Sequence, residues 1–290
     1  MIFTVPHQLN VLWQLNTPAL MNALFGAARD TLLELLGDAR YLGAQPGIQL
    51  ALHTWNRALD LHPHLHALVS DGGMHEGQWV RPRRSHFLPA KVVMLLFRGK
   101  LLDALRELHR AGELGLPDAM SPERFTSVLN RLGRKVKWNV RVCSRYAHGR
   151  GVSLYLARYV KGGPFRNTQI VRASPREVLF AYTPRSEPGA PKRSATLALA
   201  PERFLARVLL HAPEPGRHSV RYYGLYAHAC GEQLNAARAL HSQAPVEPPA
   251  PIDWQAYLVR FPRALSRTHC PHCGAALVRG ALIVARRAPP

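Results

Sequence analysis

The residues with the clearest chemical potential are three alternating histidines, His62-Pro63-His64-Leu65-His66. Side chains alternate along a strand, so His64 and His66 share a face while Leu65 turns toward the core. Two adjacent imidazoles are a usable half of a metal site. In a chain with 15 histidines, one His-x-His arises by chance about 0.8 times, but three alternating histidines only about 0.04 times. The triplet carries the signal; a pair alone would not. The plain alternative is a set of surface or hydrogen-bonded strand histidines.

The second pattern is Tyr155-Leu-Ala-Arg-Tyr159. Residues four apart on a helix lie on one face, so both phenols can reach the same point. A tyrosine hydroxyl can attack phosphorus and form a covalent intermediate. Ordinary core packing also gives this spacing, and it recurs at Tyr222 and Tyr226. Context separates the two pairs. Tyr155 and Tyr159 sit beside Arg158 and Lys161, in a stretch from Arg124 to Arg176 that holds 13 Lys and Arg and no Asp or Glu. Such a stretch reads as a groove lying along a phosphate backbone, with Arg134, Lys135, Lys137, Arg145, Arg150 and Arg158 as candidate DNA contacts. Arg81-Pro-Arg83-Arg84 adds a basic loop.

A third pattern, His269-Cys270-Pro-His272-Cys273-Gly274, is half of a zinc knuckle, with Cys270 and Cys273 as candidate Zn²⁺ ligands. His228-x-Cys230 is the nearest pair of suitable type, and an unmetallated relic is the alternative.

Composition points the same way as the basic stretch. Lys and Arg number 38 against 18 Asp and Glu, a net charge of +20 over 290 residues. A fold does not need that excess, whereas a polyanionic partner does. At 47% hydrophobic and 19% charged the chain is globular. Apolar runs such as Val92–Phe97 are too short to span a bilayer, and the apolar tail after Gly274 is broken by Arg279, so no membrane partner is expected. Residues 1–10 lack the basic and apolar regions of a signal peptide. Four cysteines do not make a disulfide scaffold, and a reducing cytoplasm is the expected compartment.

These residues need elements to hold them. The sequence predicts a short strand over residues 2–6 and a helix from Pro18 to about Gly37, with Leu20, Leu24, Ala28, Leu32 and Leu35 on one face. Strands follow over Gly47–Trp55 and His64–Ser70, joined by a loop containing Pro63, with a turn at Asp71-Gly72-Gly73 and a short partner over Gln78–Arg81. Helices are expected over Pro89–Ala111, with Leu95, Leu101, Leu102, Leu105 and Leu108 apolar, over Met120–Leu132, and over Gly151–Lys161. That last helix is stopped by Gly162-Gly163-Pro164. Lys137–Cys143, Gln169–Arg172 and Val178–Tyr182 read as strands, Pro201–His211 as a helix and Ala244–Pro251 as a linker. Strands and helices mixed without a β-α-β rhythm give an α+β protein, an antiparallel sheet flanked by helices. The expected division is a core over 1–183 with a helical insertion at about 89–132, an α/β extension over 184–243, and a Pro-rich linker with a zinc-knuckle tail over 244–290.

A His-hydrophobic-His strand followed by a tyrosine helix resembles the HUH endonuclease superfamily. Phe3-Thr4-Val5-Pro6-His7, Leu52-His53-Thr54-Trp55, His62–Val69 and Tyr155-Leu-Ala-Arg-Tyr159-Val-Lys161 come in the order found in two-tyrosine rolling-circle transposases of insertion sequences. That group includes the ISCR elements, with Helitrons as distant relatives. Asp253-Trp254-Gln255-Ala256-Tyr257 and the closing Cys-Pro-x-Cys-Gly are similar to the group's C-terminal end, so the resemblance covers nearly the whole chain.

The resemblance implies an HUH-type nuclease core that cuts and transfers single-stranded DNA at element ends and target. His64 and His66 would hold Mg²⁺ or Mn²⁺ at the scissile phosphate, with His62 or His53 as third ligand. Tyr155 or Tyr159 would attack to leave a 5′-phosphotyrosine, and Lys161 would stabilise charge beside the phosphate. The family pattern has a cysteine-rich zinc segment ahead of the first strand. Met1 stands at that strand here, and the expectation is a 5′-truncated or alternatively started copy. Two other readings stay open: an HUH replication initiator or relaxase, and a non-catalytic DNA-binding remnant of a transposase.

Overall fold

The computed structural model describes residues 1–82, 88–143, 145–146, 148–160, 162–184, 191, 193–213, 216–247 and 275–276. The chain divides into two compact units, Met1–Ala244 and Pro245–Pro290, and every described helix and strand lies in the first.

Two long strands form the centre. β1 (Ile2–Thr4) is followed by the short helix α1 (Asn10–Leu15), then α2 (Thr17–Gly37), β2 (Gln45–Trp55), β3 (Leu61–His75) and β4 (Gln78–Val80). In β2, Ile48, Leu50 and Leu52 are buried in the core, and Leu65 and Ala67 do the same in β3. That alternation fixes the register, because a one-residue slip would turn every apolar side chain to the wrong face. Helices α2 and α3 (Ala90–Arg110) contribute much of this core, with Leu20, Leu24, Ala28, Leu32 and Leu35 of α2 all buried as their spacing predicts. In α3, Leu101, Leu102 and Leu105 are buried but Leu95 is 41% exposed. α4 (Pro122–Arg134) starts at Ser121, whose Oγ accepts the Arg124 N–H at 3.3 Å, and adds Phe125, Leu129 and Leu132 to the core.

The main sheet is antiparallel throughout, in the order β5-β1-β3-β2-β9 with β4 paired to β3; β5 is Val140–Arg141 and β9 is Val220–Gly224. A second antiparallel sheet joins β6 (Ile170–Ala173), β7 (Val178–Tyr182) and β8 (Ala195–Leu199). Val178 and Phe180 of that sheet, Phe204 of α6 (Pro201–Leu209) and the fully buried Leu59 form a smaller core. Leu59 lies at the β2–β3 connection with φ +64°, so the hairpin tip plugs into the second sheet's layer. α5 (Gly149–Tyr159) precedes that sheet, and α7 (Gly231–Leu240) follows β9. The α+β class expected from the sequence is what the chain adopts.

Three local expectations are corrected. Pro63 lies inside β3, not in a loop. The β2–β3 register shifts between His53 and Trp55, whose partners are His64 and Leu61. Pro63 occupies this bulge, where its missing N–H interrupts no ladder bond, and its carbonyl accepts the Val5 N–H at 3.0 Å. Asp71-Gly72-Gly73 is likewise within β3. Gly72 has φ +139°, and an added Cβ would stand 2.5 Å from the Val80 carbonyl oxygen, so glycine serves a close strand approach. The turn falls instead at Glu76 and Gly77, both at positive φ. Finally, the strand expected over Lys137–Cys143 shrinks to two residues, because Trp138 is buried in the core with its Nε1–H donated to the Leu132 carbonyl at 3.0 Å.

Candidate functional site

The helix-covered face of the main sheet is apolar, and the opposite face carries the chemistry. His53 pairs with His64, and Ala51 with His66, across β2 and β3; on the other side of β3, Thr4 and Ile2 of β1 pair with His64 and His66. Because Leu52 and Leu65 point into the core, His53, His64 and His66 must share the other face. Their ring centroids lie 5.5 Å (His53–His64), 4.6 Å (His53–His66) and 5.0 Å (His64–His66) apart. One ligand atom from each falls within 4.8 Å of the others.

Hydrogen bonds select the ring nitrogens. His64 Nδ1 lies 2.7 Å from the His62 carbonyl oxygen, and His53 Nε2 lies 2.8 Å from that of Tyr159. A carbonyl only accepts, so both nitrogens carry protons, which leaves Nε2 of His64 and Nδ1 of His53 as lone-pair donors. His66 Nδ1 is buried with no hydrogen-bond partner. Burial keeps all three rings neutral. It pushes His64 down to about 4, and pushes His66, beside two other imidazoles, to about 2; His53 is lowered by the same desolvation. Three neutral imidazoles with an orphaned buried nitrogen fit a divalent cation. Among the described residues, the histidines whose ligand atoms converge are His53, His64 and His66; His62, the other sequence candidate, is not in that cluster, and its carbonyl accepts from His64 Nδ1 at 2.7 Å.

The second component is α5. Tyr155 and Tyr159 lie one turn apart with ring centroids 4.8 Å apart. Tyr159 stacks on His66 at 4.0 Å with the planes 23° apart, and Tyr155 is 6.2 Å from the same ring. The Tyr155 hydroxyl oxygen is buried without a partner, and burial raises its pKa above the ordinary phenol value. No residue of α5 is fully buried.

Arg134, Lys135, Lys137, Arg145, Arg150 and Arg158 are all exposed, and Arg145 pairs with Asp71 at 3.2 Å. Lys161, Arg83, Arg84, the motif over residues 253–257, Cys270 and Cys273 lie outside the described residues. Cys230 accepts a hydrogen bond from Gln45 Nε2 at 3.8 Å.

Sequence reasoning missed the supports behind His53. Trp55 stacks on it at 4.4 Å, and His211 sits 5.9 Å from Trp55. His211 donates from Nε2 to the Leu59 carbonyl at 3.1 Å and accepts the Thr54 hydroxyl at Nδ1, 3.0 Å away. Nothing local marks residue 211 for this role, since its partners lie more than 150 positions earlier.

Residues 47–233 match the family Y2_Tnp, described as "Putative transposase". The chain belongs to this family. The Y2_Tnp match spans β2, β3 and α5, and so includes His53, His64, His66, Tyr155 and Tyr159. Among curated relatives, "Putative transposase y4qJ" of Sinorhizobium fredii is 30% identical over 287 residues, covering 94% of this chain and 70% of its own length. "Transposase for insertion sequence element IS801" of Pseudomonas savastanoi pv. phaseolicola is 28% identical over 290 residues, covering 98% of this chain and 67% of its own. No solved structure matches the chain. Among the described residues of this Y2_Tnp member, no helix is long and apolar enough to cross a membrane.

Proposed function

We propose that this transposase-family protein is an HUH-type strand transferase that cuts single-stranded DNA and rejoins it through tyrosine. The observation that carries the reading is the Tyr159 ring stacked on His66, which belongs to a set of three neutral imidazoles. A phosphoryl-transfer nucleophile and a cation-binding set on one sheet face are the two parts such chemistry needs.

In this reading His53, His64 and His66 hold Mg²⁺ or Mn²⁺, which when bound draws charge from the non-bridging oxygens of the scissile phosphate. A tyrosine hydroxyl loses its proton and attacks phosphorus in line. The new bond joins phenolic oxygen to phosphorus, the bond to the 3′ oxygen breaks, and that oxygen takes up a proton as a free 3′-hydroxyl. The 5′ end stays on the protein as a phosphotyrosine ester, so a 3′-hydroxyl can reverse the step and join strands without a nucleotide cofactor. Two tyrosines on one helix face allow two such linkages, one for each strand exchanged. Arg150 and Arg158 on α5, with Arg134, Lys135, Lys137 and Arg145 nearby in sequence, supply the phosphate contacts, and Lys161 stabilises charge after the nucleophile.

The test is cleavage of labelled oligonucleotides drawn from both flanks of the parent gene, presented single-stranded and as duplex, with and without Mn²⁺. The reading predicts cation-dependent cutting of the single strand at a defined position, and joining when two element ends are supplied. Cutting with no joining would indicate an initiator or relaxase; tight binding with no cutting would leave a DNA-binding remnant.

A further inference from the structure

We propose that His53 couples cation binding to the placement of the tyrosine helix, acting as a positioning residue through its two nitrogens at once. The inference rests on the reading above, that the three histidines hold a divalent cation.

The helix is poorly anchored for an element that presents nucleophiles. It has 11 residues, begins at Gly149-Arg150-Gly151, receives no side-chain cap at its first turn, and buries no residue completely. Isolated helices shorter than about 12–15 residues are marginal in water, and each glycine weakens one further. Its C-terminal turn is where the sheet takes hold. The carbonyls of a last helical turn have no intrahelical partner, and here the Tyr159 carbonyl is satisfied by the Nε2–H of His53 at 2.8 Å, while the ring of Tyr159 rests on His66. His53 is itself held rigidly: it is 7% exposed, lies in β2 opposite His64, and stacks on Trp55.

The tautomer fixed by that hydrogen bond is the one a ligand needs. With Nε2 protonated, Nδ1 keeps its lone pair for the cation. An imidazole that gives its lone pair to a cation becomes a stronger donor at the other nitrogen, so ligation strengthens the bond to the Tyr159 carbonyl. Binding at one side of the ring therefore stiffens the helical turn on the other. The coupling is reciprocal: a formed helix turn must favour cation binding by the same factor. Tyr159 is then presented firmly only when the cation is present to assist it.

The experiment is hydrogen exchange on the full chain, without DNA, with and without saturating Mn²⁺, alongside calorimetric measurement of Mn²⁺ binding. In the wild type, Mn²⁺ should slow exchange of amides 156–160 by about tenfold, the scale of one strengthened hydrogen bond at a helix end. His64→Ala, which weakens cation binding but keeps the tether, should hold these amides at the Mn²⁺-free wild-type rate. His53→Ala should exchange them faster still and not respond to Mn²⁺. His53→Gln, whose carboxamide N–H reaches the Tyr159 carbonyl, should restore the Mn²⁺-free wild-type rate. Equal protection by Mn²⁺ in wild type and His53→Ala would overturn the coupling, as would Mn²⁺ binding to wild type with no change in these amides. Failure of wild type to bind Mn²⁺ at all would overturn the cation reading and this inference with it.

Discussion

The ring of Tyr159 lies on that of His66 with centroids 4.0 Å apart and planes 23° from parallel. Because His66 is flanked by His53 and His64, a residue able to attack phosphorus stands against a residue able to hold a cation. They are 93 positions apart in sequence and meet through one sheet face and one short helix.

Tyr155 should tolerate loss of its hydroxyl without loss of stability. Tyr155 keeps its hydroxyl oxygen buried without a partner, and an unsatisfied buried polar atom costs about 1–3 kcal/mol. Tyr155→Phe should therefore be neutral or stabilising by up to about 1 kcal/mol in denaturant unfolding. A loss of stability of more than about 1 kcal/mol would mean that the hydroxyl has a partner after all.

Stability should fall in acid over a defined window. A histidine whose folded pKa is depressed stays neutral in the fold but takes a proton when unfolded. Its contribution is intact above the ordinary value of 6.5 and is lost as pH falls toward the folded value, about 4 for His64. The loss from His64 alone is on the order of 3 kcal/mol at most, and His66 extends it below pH 4. Unfolding of wild type and His64→Gln between pH 7 and 4 checks this, the variant showing the shallower slope. Equal slopes would contradict it.

Cation binding should release less than about one proton even in mild acid. At pH 6, two ordinary imidazoles would give up about 1.5 protons, whereas His64 and His66 are already neutral. Calorimetry at pH 6 in buffers of different ionisation enthalpy measures the number. An all-imidazole protein set should also take Mn²⁺ more tightly than Mg²⁺, which prefers oxygen ligands. Release of more than one proton, or tighter Mg²⁺, would count against the histidine set as the ligand.

His53 and His62 should separate cleanly by substitution. His53→Ala removes a donor and should weaken Mn²⁺ binding at least about tenfold. His62→Ala keeps the carbonyl that orients His64 and should change affinity less than about threefold. The opposite ranking would restore His62 as the third ligand.

Much of this was legible in the sequence because it rests on periodicity. The alternation around Leu65 places His64 and His66 together, the apolar spacing of α2 finds its buried face, and Tyr155 and Tyr159 mark one side of a helix. What was not legible depends on pairings between distant strands. The sequence offers both His62 and His53 beside the pair, and it is the β2–β3 register, setting His53 opposite His64, that brings His53 into the cluster. Pro63 looks like a strand breaker until the bulge between His53 and Trp55 removes the need for its N–H. Trp138 shortens β5 by taking a place in the core, and His211, just after α6, reaches Thr54 and Leu59 more than 150 positions earlier. None of these has a local signature, since each is decided by tertiary contact.

The central claim is tested most directly by a covalent-adduct assay. Purified protein is incubated with labelled single-stranded flanking DNA and Mn²⁺, then run on a denaturing gel. Wild type is compared with Tyr155→Phe, Tyr159→Phe, the double variant, and His64→Ala/His66→Ala. The account predicts a Mn²⁺-dependent protein–DNA band that disappears in the double tyrosine variant and in the double histidine variant. A band that persists in the double tyrosine variant, or no band on any flank while tight binding remains, would contradict it.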